Sequence, residues 1–119
     1  LEYKQDGSNH IYYYKGKISE TWTADSRGHR YGEYLKYNDN GSIYIRGNYS
    51  YLKDRNGYNR GYKMGIWIEY HDNGEIKIKG NYARNEDDVF EGLKDGAWKY
   101  YNEEGKLIKT ENYSNGIKQ

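Results

Sequence analysis

Cysteine is absent from this chain of 119 residues, which excludes disulfides, thiolate metal sites and a cysteine nucleophile. Aliphatic residues are scarce: the hydrophobic fraction is 34% and the mean hydropathy is -1.33. No apolar run approaches the roughly 20 residues that a membrane helix needs. Gly57, Gly61 and Gly65 have the four-residue spacing of a membrane helix-dimer motif, but the residues between them are polar and rule that reading out. No segment keeps a 3.6-residue apolar period, so no helix is predicted. Neither sign of charge dominates. Nineteen basic and eighteen acidic residues leave a net charge of +1, which is no footprint for nucleic acid and too little for polybasic attraction to anionic lipid. The first residue is Leu rather than Met, so the expectation is a fragment whose compartment the sequence does not read.

What the chain has in abundance is tyrosine: 17 Tyr and 3 Trp bring the aromatic fraction to 18%. Disordered chains are poor in aromatics, and a tyrosine buries a large ring while keeping a polar tip. One domain over residues 1–119 with a thin aromatic core is expected.

The tyrosines are periodic. Aligned on Gly41, Gly74 and Gly105, the sequence has a glycine nine residues earlier (Gly32, Gly65, Gly96) and an aromatic seven earlier (Tyr34, Trp67, Trp98). A tyrosine stands four residues earlier (Tyr37, Tyr70, Tyr101), an aliphatic two later (Ile43, Ile76, Leu107) and a tyrosine eight later (Tyr49, Tyr82, Tyr113). This gives repeats at 32–49, 65–82 and 96–113, and a degenerate copy at 7–24 whose turn glycine is Gly16. Long connectors at 50–64 and 83–95 are expected on one edge of the assembly.

Each unit has the physics of a β-hairpin, with "DNG" or "EEG" between β-branched and aromatic residues. A three-residue loop with Gly74 left-handed in a bulge is predicted. It gathers Ile66, Ile68 and Tyr70 beside Ile76, Ile78 and Gly80 on one face, and leaves Trp67, Glu69, Lys77 and Lys79 on the other. In the first full repeat the aliphatic face is predicted as Leu35, Tyr37, Ile43 and Ile45. Since one hairpin is marginal in water, the hairpins should pair edge to edge into an all-β, elongated, single-layer antiparallel meander.

The segments "GEYLKYNDNGSIYIRGNY" (32–49), "GIWIEYHDNGEIKIKGNY" (65–82) and "GAWKYYNEEGKLIKTENY" (96–113) resemble the MORN repeat, in the bacterial variant found in YwqK-like antitoxins. The closing "YSNGIKQ" resembles the lead-in to a further repeat. The resemblance implies a stack of hairpins, one per repeat, acting as a binding scaffold for proteins or membrane phospholipids. Cytoplasm and bacterial envelope are both compatible with it.

The chemistry-bearing residues point the same way. His10, His29 and His71 lack zinc-ligand spacing, and no metal or cofactor is expected. Glu86, Asp87, Asp88 and Glu91 lack the alternation of a calcium loop and read as a solvated acidic loop. No nucleophile elbow, phosphate loop or dinucleotide fingerprint occurs, so no enzyme is expected. The one candidate binding feature is the aromatic row Tyr34, Trp67 and Trp98, with Lys36, Glu69 and Tyr100 beside it. The competing expectation is structural, because a ring that recurs at one repeat position serves packing before it serves binding. A protein partner is expected, with a phospholipid headgroup or glycan on the aromatic row as the alternative, and the two open sheet edges also admit an edge-to-edge homodimer.

Overall fold

The structure, a computed structural model, describes residues 2–53, 59–84 and 92–119. Ten strands follow one another: β1 (Glu2–Asp6), β2 (Asn9–Tyr14), β3 (Lys17–Ala24), β4 (Arg30–Tyr37), β5 (Ile43–Lys53), β6 (Asn59–Tyr70), β7 (Ile76–Arg84), β8 (Gly92–Tyr101), β9 (Leu107–Ser114) and β10 (Ile117–Lys118). They lie in sequence order in one antiparallel sheet. The molecule measures 43 × 42 × 16 Å, about the width of nine gaps between strands spaced ~4.8 Å apart. This is the predicted single-layer meander. The acidic run 86–91 lies outside the described residues.

Two turn chemistries set the hairpins. Lys15–Gly16 and Asn115–Gly116 have positive φ at both positions, the two-residue turn whose twist matches that of the strands. The three full repeats use the predicted three-residue loop. Gly74 is left-handed (φ 89°), its N–H donates to the His71 carbonyl at 2.9 Å, and the His71 N–H donates to the Glu75 carbonyl at 2.8 Å. Asn38–Ser42 and Asn102–Lys106 repeat that geometry.

The faces differ from the expectation. Tyr70 stands opposite Ile76, but Glu69 stands opposite Ile78, because Lys77 is an extra residue in a second bulge. The shift of one position exchanges the faces of β7. Trp67 and Glu69 therefore share a face with Gly80 and Ile78, while Ile66 and Ile68 sit opposite Asn81 and Lys79 on the other side. Lys79 leaves the aromatic face, and Ile45, expected among the aliphatics, joins Lys36 on it. The same bulge recurs three residues after every turn glycine, at Ser19, Tyr44, Lys77 and Ile108. One loop rule was right, and a second, silent bulge overrode its consequence.

A larger irregularity joins successive hairpins. Between the pairs Arg46–Ile68 and Asn48–Met64, one residue of β5 (Gly47) faces three of β6 (Gly65 to Trp67). Gly80 likewise faces Gly96 to Trp98, and Trp22 faces Gly32 to Tyr34. The extra residues are accommodated by left-handed Gly32, Gly65 and Gly96. Bulges increase local twist, and seven in register curl the sheet strongly.

The curl is toward the aromatic face. Gly61 and Gly92 share a face with Tyr49 and Tyr82 by their pairing. A Cβ on Gly61 would lie 2.8 Å from the Arg30 carbonyl oxygen, and one on Gly92 only 1.9 Å from that of Lys63. Alternate strands thus touch across the concave side at the end opposite the turns. The expected connectors lie at that end, but most of 50–64 is strand: β5 runs on to Lys53 and β6 begins at Asn59. The second connector is likewise shortened, with Ala83 opposite Leu93 and Arg84 opposite Gly92.

Candidate binding trough

The concave face is built on a ring-on-glycine contact. Trp67 lies flat over Gly47 of the preceding hairpin, so that a Cβ there would stand 2.1 Å from the indole Cδ2. Trp98 covers Gly80 in the same way, at 2.0 Å. Each indole N–H donates to the carbonyl just beyond its glycine, Asn48 at 3.0 Å and Asn81 at 3.1 Å. The closing tyrosines meet these indoles edge-on: Tyr49 and Tyr82 at 5.3 and 6.0 Å from Trp67, Tyr82 and Tyr113 at 5.0 and 6.4 Å from Trp98. Tyr34, Trp67 and Trp98 retain only 8%, 7% and 5% exposure. In a sheet one layer thick, they are the core.

A cation covers each ring. Lys63 lies 4.8 Å from the Trp67 centroid and 5.4 Å from that of Tyr82. Lys94 lies 4.7 Å from Trp98 and 5.0 Å from Tyr113. Arg30 takes the same place over Trp22 (4.6 Å) and Tyr34 (5.5 Å). The sequence reading missed these three residues. Their signal was available, since each stands two positions before a repeat glycine: Arg30 before Gly32, Lys63 before Gly65, Lys94 before Gly96.

Beside the ring row, toward the turns, a second row crosses the concave face. Cα pairing runs from Glu20 to Lys36, Ile45, Glu69, Ile78, Tyr100 and Lys109. Lys36, Glu69 and Tyr100 occupy one repeat position and differ in every copy. A depression of about 230 Å³ brings Trp67, Glu69, Trp98 and Tyr100 together with Ile45, Ile78, Lys63, Tyr82 and Lys94. Tyr34 and Lys36 do not line it, although Lys36 stands opposite Ile45 at its edge. Lys36 lies 6.0 Å from the Tyr44 ring, and Lys77 pairs with Glu69 at 3.5 Å.

The far end of the ring row is different. Glu111 holds the position of Gly47 and Gly80, six residues after the turn glycine. Its carboxylate meets Lys118 at 2.6 Å and accepts a hydrogen bond from Tyr100. The Lys118 ammonium and then the Tyr100 hydroxyl hold the Glu111 pKa down at about 2. Burial and this hydrogen bond push the Tyr100 phenol up to about 12. Burial also raises Tyr34, whose hydroxyl donates to Glu20 at 2.8 Å. At the other end Trp22 fills the glycine position, stacked on His10 and Tyr12.

Among the described residues no group of three or more His, Cys, Asp or Glu is placed to hold a metal ion, and no helix is long and apolar enough to cross a membrane. A comparison with curated proteins finds none that matches the chain. The family model of the MORN repeat variant matches residues 30–51, 65–84 and 94–115. Each matched stretch holds a left-handed loop glycine, a row aromatic and a closing tyrosine, the two rings covered by one cation. With more than half of its residues inside these stretches, the chain belongs to the MORN-repeat-variant family.

Proposed function

We propose that this protein is a non-catalytic scaffold that binds a protein partner in its concave trough. MORN repeats are generally associated with binding and scaffold roles. The observation that carries the reading is how the repeat divides its in-facing positions. Among those that recur, the row ring and the closing tyrosine are used up in packing the sheet. The one that changes from copy to copy, Lys36, Glu69 and Tyr100, stands on the turn side of the buried row, where a bound chain would meet it. A fold needs the constant residues, and recognition of an irregular surface needs the variable ones. Neutralisation of a toxic enzyme, as the antitoxin label of similar proteins suggests, is one form this binding could take.

The test is capture from a lysate of the source cells with the immobilised chain, in parallel with a Lys36→Glu/Glu69→Lys variant. A protein retained at moderate salt by the first and lost by the second supports the reading. Equal retention by both moves the site elsewhere. Capture of no protein, together with binding to a lipid or glycan array, replaces the protein partner by a headgroup or sugar.

A further inference from the structure

The trough carries a charge pattern that specifies what the partner presents to it. We propose that the depression between Trp67 and Trp98 takes an acidic side chain of the partner protein, held by Lys63 and Lys94, with a neighbouring bulky apolar side chain on Ile45 and Ile78. This rests on the scaffold reading above and adds the chemistry of the bound segment.

The molecule contains its own precedent. Lys63 stands opposite Tyr49, Lys94 opposite Tyr82, and Lys118 opposite Tyr113, so the three lysines are equivalent in the sheet. Lys118 is the one with no indole beneath it, and there the lysine takes a carboxylate, Glu111, at 2.6 Å. This pair shows that a lysine at this place reaches a carboxylate on the concave face. At Lys63 and Lys94 the indole occupies the sheet side of the ammonium, and a carboxylate would come from the open side. Among the described residues the ion pairs are His29–Asp25, Lys77–Glu69 and Lys118–Glu111, so none of them supplies Lys63 or Lys94 with a counter-charge. Both lysines line the depression together with Ile45, Ile78 and four aromatic rings, and its one carboxylate, Glu69, is paired with Lys77 at 3.5 Å. An ammonium already lying on a ring is partly desolvated, which strengthens the hydrogen bond it gives to an incoming anion. The concave shape favours a peptide over a membrane. A planar bilayer rests on a flat or convex surface, whereas a trough of about 230 Å³ admits one or two side chains.

The probe is a displayed random peptide library selected against the immobilised chain. Enriched sequences are expected to pair Asp or Glu with a bulky apolar residue. A synthetic enriched peptide should bind the Lys63→Gln/Lys94→Gln variant about tenfold to a hundredfold more weakly, the range of a charge-assisted hydrogen bond. A Lys63→Glu/Lys94→Glu variant should select Lys- or Arg-bearing peptides instead, an outcome that misfolding does not imitate. Enrichment without acidic residues would overturn the proposal and leave the scaffold reading in place. No enrichment also overturns it, while capture from lysate judges the scaffold reading separately. Binding to phosphatidylserine vesicles but not to peptides, abolished in the Gln variant, would assign the lysines to a headgroup and overturn it as well.

Discussion

Gly80→Ala is the substitution that tests the architecture most directly. A methyl at this position would lie 2.0 Å from Cδ2 of Trp98, against about 3.5–4.0 Å for carbon atoms in contact. The indole must therefore retreat by about 1.5–2 Å. It is not free to do so, since its N–H is bonded to Asn81 at 3.1 Å and Tyr82 and Tyr113 stand at 5.0 and 6.4 Å. Replacing glycine in a strand ordinarily gains roughly 0.5–1 kcal/mol through the unfolded chain. Overpacking costs about 1–3 kcal/mol, and complete loss of a buried aromatic about 3–5 kcal/mol. A net loss of about 2–3 kcal/mol follows, between those limits. The decisive comparison is a double-mutant cycle read by urea denaturation with far-UV circular dichroism, which does not rely on tryptophan emission. Trp98→Ala alone should cost about 3–5 kcal/mol. In that background the methyl of Gly80→Ala has room, and its cost should vanish or become a gain of some tenths of a kcal/mol. If Gly80→Ala costs the same with and without Trp98, the indole is not what excludes the methyl, and the ring-on-glycine account of how hairpins join is wrong.

Three further outcomes are expected. Because Glu111 titrates near 2 when folded and near 4.5 when unfolded, its pairing stabilises the protein above pH 4.5 and is lost as pH falls from about 4.5 toward 2; Lys118→Gln should flatten the dependence of the melting temperature on pH in that window. Glu111→Gln should bring the Tyr100 phenol down from about 12 toward 10 in a spectrophotometric titration, and an unchanged value would leave burial as its whole cause. Deleting Lys77 removes the second bulge but leaves Ile78 opposite Glu69 and Gly80 opposite Trp67, so the faces should be kept; a change under about 1 kcal/mol in thermal melts is expected, and a loss above about 3 kcal/mol would show that the sheet needs the twist of the bulge.

The meander, the repeat boundaries and the left-handed loop glycines were legible because each rests on local chemistry repeated in register. The faces were not. The bulge at Lys77 has no residue signature: its equivalents are Ser19, Tyr44 and Ile108, a set with nothing in common. Gathering Ile66, Ile68, Ile76 and Ile78 on one side was a sound wager on hydrophobic alternation. It failed because burial in a curled single sheet follows ring area, and the indoles and closing tyrosines lie on the other side; Ile66 is left 48% exposed. The aromatic row is legible in the repeat, and the structure packs its rings at 8%, 7% and 5% exposure while leaving Trp67 and Trp98 to line the depression. The variable positions Lys36, Glu69 and Tyr100 were identified with it, and the structure places them on the concave side, next to the rings. Arg30, Lys63 and Lys94 lie two residues ahead of the glycine that opens each repeat, outside the repeat boundaries that the sequence shows.

The contact between hairpins has a direction. Gly47 and Gly80 receive a ring from the hairpin that follows, while Tyr34, Trp67 and Trp98 face the one that precedes. A donor and an acceptor of this kind make the sheet a vector, with two unlike ends and only one way to splice its parts. A hairpin with both a glycine and an indole can be inserted or exchanged anywhere in the row, carrying its own variable residue into the trough. One with Glu111 in the glycine place refuses an indole behind it, and one with Trp22 there gives the next ring no glycine to lie on. Exchange of parts along such a chain therefore obeys a syntax in which only hairpins that hold both a glycine and a ring are interchangeable.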